Sequence, residues 1–350
     1  MATRFQRYPS APPAVAIVAR GAAIVLALVV ASALLAVAGA NPLALGQQIV
    51  KSTFGSRFGL EDVALLITPL IFTGLAVAVA LRIGAWNIGA EGQFYAGAFA
   101  ATGIGLYLRA PQPLMLPLMF IAGALGGAVW ILVPTLARAY AEVSELITTL
   151  LLNFVALLLV YWVATGPWLD PGGHALGATA RIRVEVPAFW SGIHWGFPFA
   201  ILLTIVMAAA LRYTVWGYEV LFSGSNPQAA RYAGIPSRAR LIVVMLISGA
   251  IAGLAGFFEV AGTVHRLQGG ISNNFGYLGI MVAVLARGSP LGVLAGAALM
   301  GIILNSGIIL QTKGLTVSTV LAITGLILFF TAIGDELAHY RLVRTAPAKA

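Results

Sequence analysis

Long apolar runs separated by short polar breaks alternate along almost the whole chain. A helix needs about 20 apolar residues to cross the hydrocarbon core of a bilayer. The pattern therefore predicts an all-α polytopic membrane protein, with residues 1–350 in a single transmembrane domain. About ten transmembrane helices are expected, near residues 16–39, 63–82, 85–107, 114–136, 147–166, 198–216, 240–261, 274–287, 291–311 and 316–334. A span followed by a Gly/Asn-rich break recurs near 63–95 and 240–280, which indicates an internal pseudo-repeat.

The distribution of basic residues predicts the orientation of these helices. With the N-terminus inside, 13 arginines and lysines fall in cytoplasmic segments and 7 in outer ones. Cytoplasmic loops carry the excess of Lys and Arg, so we expect both termini in the cytoplasm, with tails at 1–15 and 335–350. The uncharged run 21–40 ends in small residues like a signal peptide, but it is longer than a usual signal sequence. We interpret it as a retained first span.

Composition agrees with a membrane protein and removes several other classes. Hydrophobic residues make up 60% of the chain and charged residues 9%, and the mean hydropathy is +0.96. The net charge is +9, but the arginines are scattered between apolar runs, so the partner we expect is the lipid bilayer and not a nucleic acid. The absence of cysteine excludes disulfides, thiolate metal sites and cysteine nucleophiles.

A polar string interrupts the apolar pattern at residues 84–95. It contains Asn87, Glu91 and Gln93 between glycines, whereas 63–81 and 96–108 carry no charge. An ionisable residue at membrane depth is costly unless it faces a polar cavity or a partner, and broken helices are tolerated there only around a cavity. The string therefore predicts a path or binding site for something polar. Direct contact with a solute and satisfaction of the broken backbone both remain open as roles for these three residues.

Further residues are candidates for the same path. Asn153 can hydrogen-bond to a sugar or base, or to another helix. Phe94 can stack on a flat ring or pack in the core. Trp86 immediately precedes Asn87 in the polar string and is a further candidate.

A second signal lies in the longest predicted cytoplasmic connection, 217–239. Asn226 is a good N-cap, Pro227 suits the first helical position, and Gly234 before Pro236 is a strong stop. They predict a helix of about two turns that must be held by packing, because so short a helix is marginal alone. It presents a low-relief surface suited to docking in another protein, or it lies at the membrane interface without a partner. Its residues are Ala229, Ala230, Arg231, Tyr232 and Gly234.

These segments carry a family resemblance. The chain resembles ABC importer permeases of the branched-chain amino acid, simple sugar and nucleoside group, and is most similar to the nucleoside branch, whose partners include a BMP-type binding lipoprotein. The matching stretches are 41–43, 69–78, Trp-Asn-Ile-Gly-Ala-Glu-Gly-Gln at 86–93, 148–153, the short loop helix and 290–293.

The resemblance implies a function and a set of partners. Residues 229–234 would be a coupling helix seated on a separate ABC ATPase, and Asn87, Glu91 and Gln93 would lie beside the translocation path. A second permease subunit, the same or homologous, and an extracytoplasmic solute-binding lipoprotein would complete the importer. The location implied is the bacterial plasma (inner) membrane, and the cargo is a small polar solute, with a nucleoside expected first and a simple sugar as the alternative.

Other classes of protein require residues that this chain has only in part. No lysine lies in a G-x-x-x-x-G-K-[ST] pattern, so any ATP is hydrolysed by another chain. An ion-coupled secondary transporter is the rival, although only Glu91 and Glu259 are candidate intramembrane carboxylates for it. An intramembrane enzyme is a more distant alternative. The histidines, with no metal-ligand spacing, predict neither catalysis nor a metal site, and no cofactor is expected; they are His174, His194, His265 and His339.

Overall fold

The computed structural model describes residues 2–7, 13–37, 39–172, 177–337 and 340–345. His174, His339, Lys349 and parts of both predicted tails lie outside the described residues. The described chain is mostly helical. The helices are α1 Pro13–Val37, α2 Pro42–Phe54, α3 Arg57–Arg82, α4 Ala90–Tyr107, α5 Gln112–Ala141, α6 Glu145–Thr165, α7 Gly196–Tyr213, α8 Val215–Ser225, α9 Pro227–Tyr232, α10 Ser237–Phe258, α11 Phe275–Leu285, α12 Pro290–Thr312 and α13 Val317–Leu337.

Four short strands accompany the helices within the described residues. Strands β1 (Ala2–Arg7) and β4 (Tyr340–Thr345) pair antiparallel, which brings the two ends of the chain side by side. Strands β2 (Ala188–Trp190) and β3 (Ile193–His194) form a hairpin around Ser191 and Gly192. The all-α prediction did not include these strands. A Ser-Gly pair is a turn signal, and the positive φ of Ser191, 54°, is the backbone that a tight hairpin turn requires.

A helix lies at each of the ten predicted spans, but they differ in length and hydropathy. Among the described residues, seven helices are long and apolar enough to cross a membrane, or eight if the sharply bent pair α1–α2 counts as one span. Helix α4 follows a break and has 18 residues, and α11 has 11, which is about half of a crossing. A multi-pass membrane fold is therefore present, and the count of ten crossings stays a prediction.

Two compact units divide the described chain. One comprises residues up to Gly59 and from Ile303 onward, and the other comprises Leu60–Ile302. In the first unit, α1 packs on α13 through a small cluster of Ala31, Leu35 and Ile323. The amide of Asn305 donates to Thr53 Oγ1 at 3.1 Å, so a buried polar pair joins α12 to α2 in this unit.

In the second unit, α3 and α10 form the centre. Of the most apolar 18-residue window in α3, 89% is buried, against 22% in α5 and in α7. Helices α5, α6 and α7 instead expose stripes of large apolar side chains, such as Leu125, Leu158 and Leu202. Since lipid tails are apolar, a helix at the edge of a membrane bundle can expose such a stripe. The central helices are therefore protein-enclosed, and the outer helices present surfaces suited to lipid.

Glycines bring three helices of this unit into backbone contact. A Cβ on Gly97 of α4 would meet the backbone of Gly253 in α10, and a Cβ on Gly253 would meet the Gly123 carbonyl oxygen in α5. Gly127 of α5 lies equally close to the Gly249 carbonyl oxygen. Small residues allow helices to approach this closely in lipid. The α4–α5–α10 junction therefore has no room for side chains at these positions.

The connection between α6 and α7 folds back onto the end of α10. Val186 N–H donates to Ala261 O at 2.8 Å and Ile182 N–H to His265 O at 2.9 Å. Ala261 lies in a π-helical turn, Glu259–Val264, that continues α10. Ser191 Oγ, in the hairpin turn, hydrogen-bonds to the Glu61 carboxylate at the start of α3. These contacts hold the long connection on the bundle.

His194 is buried where this hairpin meets the bundle. Its ring stacks on Phe258 at 5.9 Å, its Nδ1 accepts from Gly196 N–H at 3.0 Å, and its Nε2 lies 3.4 Å from Thr263 Oγ1. Burial, followed by the charge of nearby His265, lowers the pKa of His194 from 6.5 to about 4. Nδ1 acts as an acceptor here, so protonation at that atom would break the bond to Gly196.

We expect the folded chain to lose stability as the pH falls from about 6.5 to about 4. Above pH 6.5 His194 is neutral in both states, so it contributes no pH dependence. Between the two pKa values only the unfolded chain binds the proton, which favours unfolding by up to about 3 kcal/mol. Thermal unfolding of the detergent-purified protein between pH 7.5 and pH 4 measures this, with His194→Gln expected to flatten the profile. If His194→Gln keeps the wild-type pH profile, the loss of stability arises from another group. His265→Gln is the control that measures the contribution of the neighbouring Glu185–His265 pair.

Candidate functional site

The polar string occupies a break between two helices at the centre of the second unit. Helix α3 ends at Arg82, Gly84 takes φ +75°, and α4 begins only at Ala90. A positive φ is readily available to glycine, so Gly84 allows the chain to leave the helix here. The predicted break is confirmed. It leaves the segment 83–89 with backbone groups that other elements must satisfy.

Asn87 and Gln93 pair through their side-chain amides. Each amide donates to the other's oxygen at 2.8 Å, and Asn87 Nδ2 also donates to Ser248 Oγ on α10 at 2.7 Å. Ser248 Oγ in turn donates to the Ala76 carbonyl oxygen of α3 at 2.6 Å. Asn87, Gln93 and Ser248 are each at most 1% exposed, so the amide pair is a buried connection between α3, the break, α4 and α10.

Glu91 connects α4 to the segment that precedes α11. Its carboxylate accepts from Ser272 Oγ and, at 2.8 Å, from Gly276 N–H. The Tyr95 hydroxyl lies 3.3 Å from Ser272 Oγ, next to this contact. No cation contacts Glu91 in the described ion pairs, so neutral donors alone satisfy a buried carboxyl group. Because an ionisable group at membrane depth is costly, Glu91 stays a candidate for the path that the sequence predicts.

Asn153 of α6 hydrogen-bonds to the backbone of the polar string. Its Oδ1 accepts from Gly92 N–H at 2.8 Å, and its Nδ2 donates to Ile88 O at 2.9 Å and lies 3.4 Å from the Tyr277 hydroxyl. The amide therefore satisfies backbone groups on both sides of the α4 N-terminus. This is the hydrogen-bonding role between helices that the sequence left open. The contact with Tyr277 also links Asn153 to α11.

The two aromatic candidates have different surroundings. Phe94 is fully buried and meets Tyr95 edge-on at 6.1 Å, as a core aromatic does. Trp86 is 40% exposed, whereas the other five path candidates are buried. In this conformation the polar candidates bond to one another and to neighbouring backbone, which supports a structural role beside a closed path. Solute contact by these residues stays a prediction.

The hydrogen-bond partners of this network were missed from the sequence. Ser248, Ser272 and Tyr277 contact Asn87, Glu91 and Asn153, yet each is a polar residue of a type common in membrane helices. Only the Asn pair at 273–274, beside Ser272, marked that segment as polar. Within the described residues, no group of three or more His, Asp or Glu side chains could hold a metal ion.

The predicted loop helix is present as α9. Asn226 accepts from Ala229 N–H at 3.0 Å, Pro227 is the first helical residue, and Gly234 takes φ +75° after the end. Ala230 is fully buried against the chain's own structure, whereas Tyr232 is 93% exposed and Arg231 is exposed. The exposed surface of α9 therefore includes Tyr232 and Arg231, whereas Ala230 faces the protein interior and not a partner; docking by this helix stays a prediction.

A cavity of about 400 Å³ separates α9 from the helix break. Its lining includes Arg231, Arg138 and Arg238, as well as Gly84 of the break and two acidic residues, Glu142 and Glu145. Arg138 Nε lies 3.2 Å from Glu145 Oε2, and Arg238 lies over the Tyr140 ring at 5.9 Å. The cavity has both polar and apolar lining, and it borders the loop helix on one side and residues Ile83, Gly84 and Ala85 of the helix break on the other.

Comparison with known proteins identifies the family. The sequence model of the family described as branched-chain amino acid transport system / permease component matches residues 59–332, which include the break, the polar string and α9. The chain belongs to this family. It is a membrane-spanning permease subunit of an ABC transporter and not an enzyme, and as such a component it works with an ATPase and a binding protein.

Three curated relatives illustrate the similarity. Glucose ABC transporter permease protein TsgB13 of Haloferax volcanii is 32% identical over 306 residues, 83% of this chain and 80% of the relative. Guanosine ABC transporter permease protein NupP of Bacillus subtilis is 32% identical over 285 residues, covering 80% and 82%. Nucleoside ABC transporter permease protein NupB of Lactococcus lactis is 29% identical over 324 residues, 89% of each chain.

Proposed function

We propose that this permease imports a nucleoside across the bacterial plasma membrane by alternating access. The observation that carries the proposal is the set of buried polar side chains at the helix break, Asn87, Glu91, Gln93 and Asn153, inside an apolar bundle. Polar groups at this depth are expected along a solute pathway. In the conformation described they satisfy one another, which fits a closed state.

The substrate class is supported by the relatives and by the side chains around Asn153. Two of the three relatives above are named for guanosine or nucleosides. The indole N–H of Trp130 is buried without a hydrogen-bond partner among the described residues, and it lies beside Gly92 and Asn153. This free donor, the Tyr277 hydroxyl and the flat rings of Trp130 and Tyr277 suit a nucleobase. A simple sugar is the second candidate, because TsgB13 is named for glucose at the same identity as NupP.

The partners follow from the same proposal. The ATPase contacts Tyr232 and Arg231 on α9, a second permease subunit completes the pore, and a lipid-anchored receptor delivers the solute. The pairing of β1 with β4 supports the placement of both termini on one face, which the basic residues predict to be cytoplasmic.

We expect vesicles that contain the permease, its ATPase and its receptor to take up labelled guanosine or uridine when ATP is supplied. Unlabelled nucleosides should compete at least tenfold better than glucose. Omission of the ATPase should abolish uptake, whereas collapse of the proton gradient should not.

The alternatives predict different results in the same assay. Competition by glucose and not by nucleosides would indicate that the permease imports a sugar. Uptake that survives without the ATPase and stops with the proton gradient would indicate an ion-coupled secondary transporter.

A further inference from the structure

The loop that carries α9 contacts the helix break at one place and faces it across the cavity at another. Gly224, at the end of α8, packs so closely on the break that a Cβ there would meet the Arg82 carbonyl oxygen and the Ile83 backbone. Arg231 of α9 lines the cavity whose far wall includes Ile83, Gly84 and Ala85. A displacement of α9 that also moved Gly224 would therefore press on Arg82 and Ile83, before the polar string.

Glu145 lies where this cavity meets the string. It is the first residue of α6, is 5% exposed, and forms an ion pair with Arg138 at the end of α5. Its other carboxylate oxygen faces the Trp86 backbone N–H at 3.5 Å, a long contact. Trp86 immediately precedes Asn87, so the carboxylate touches the backbone that positions the Asn87–Gln93 amide pair.

The cavity contains other cationic side chains besides Arg138. Arg138, Arg231 and Arg238 line the same cavity, and only Arg138 pairs with Glu145 among the described ion pairs. Because Arg231 and Glu145 line the same cavity, a motion of α9 into it would bring Arg231 toward the carboxylate. Because a partly buried ion pair is sensitive to a second cation nearby, such motion weakens the hold of Glu145 on Arg138 and on the Trp86 amide.

We propose that Glu145 is a positioning residue that couples the place of α9 to the helix break, through its ion pair with Arg138 and its contact with the Trp86 amide. The proposal rests on the proposed function, in which the ATPase moves α9. Glu145 itself touches no solute. When α9 moves, Glu145 shifts the backbone at Trp86 and therefore the position of Asn87. Glu145 thereby determines whether ATP hydrolysis opens the path.

The test compares solute uptake with ATP hydrolysis in vesicles that contain the complete transporter. Glu145→Gln keeps the shape of the side chain and removes its charge. We expect this variant to bind and stimulate the ATPase normally, while solute transported per ATP hydrolysed falls at least tenfold. Arg138→Gln, whose parent side chain is 46% exposed, should produce the same loss without disturbing the core. A defect that was only structural would lower both activities together and leave their ratio unchanged.

Glu142→Gln is the matched control, because Glu142 lines the same cavity and forms no ion pair in the described part of the chain. Its ratio should equal that of the wild type. A wild-type ratio in Glu145→Gln would overturn the proposal, and if that variant does not assemble, a wild-type ratio in Arg138→Gln would do so. The wild-type transporter tests the proposed function separately from the role of Glu145, because the solute that it takes up identifies the cargo. The ratio of solute transported to ATP hydrolysed is then measured with that solute in every variant.

Discussion

Replacement of Tyr232 by alanine should separate the permease from its ATPase. Tyr232 is the most exposed large side chain of α9, and the helix beneath it is fixed by the Asn226 cap and by buried Ala230. Tyrosines presented in this way are common hot spots, whose truncation costs about 2 kcal/mol or more, roughly thirtyfold in affinity. Co-purification of tagged permease with its ATPase should therefore fall at least tenfold. ATP-dependent uptake should fall with it.

The control for this variant is Tyr213→Ala. Tyr213 ends α7, is 76% exposed and lies outside α9, so its loss removes the same chemical groups from a different surface. Both variants should reach the membrane at wild-type levels. Equal ATPase recovery with Tyr232→Ala and the wild type would place the docking surface elsewhere and leave α9 as an interfacial loop helix.

Features determined by a few neighbouring residues were predictable. The α9 helix follows from Asn226, Pro227 and Gly234, because capping and stop signals act within one or two turns. The break before α4 follows from glycines within a polar string, since glycine tolerates the positive φ that Gly84 adopts. The long apolar helices follow from the length of their apolar runs.

Features that depend on distant residues were not predictable from the pattern. Ser248 is 161 residues from Asn87, and Ser272 is 181 residues from Glu91. A single serine in an apolar helix gives no signal of its partner, because it can bond to its own helix backbone instead. The burial of Ala230 could not be predicted either, because a helix of six residues is too short to show an apolar stripe.

The spans around the site were ambiguous for a physical reason. Helices α4 and α11 are shorter than an apolar crossing, yet most of α4 is buried. The polar residues of α4 hydrogen-bond to other parts of the protein, so hydropathy underestimates how fully that helix is buried, whereas α11 is apolar but short. The same contacts that make these helices hard to recognise hold the polar string of the candidate site.

Replacement of Gly253 by leucine should prevent assembly of the bundle. Gly253 of α10 touches α4 at Gly97 and α5 at Gly123, and even a Cβ would meet the Gly123 carbonyl oxygen. Overpacking a close interface costs about 1–3 kcal/mol for extra methylene groups, and more where the obstacle is backbone on two sides. We expect Gly253→Leu to be recovered from membranes at under a tenth of the wild-type level. Gly253→Ala should fold with a thermal midpoint in detergent lowered by several degrees.

Gly325→Leu provides the matched control for this prediction. Gly325 also lies within an apolar helix, α13, but a Cβ there would meet no atom within 4 Å. Both substitutions make the same change in helix propensity and hydropathy, so a difference between them measures helix packing alone. Wild-type recovery and stability of Gly253→Leu would mean that α4, α5 and α10 do not approach as closely as their glycines allow. In that case the helix break between α3 and α4 would lose the rigid support that its buried polar contacts require.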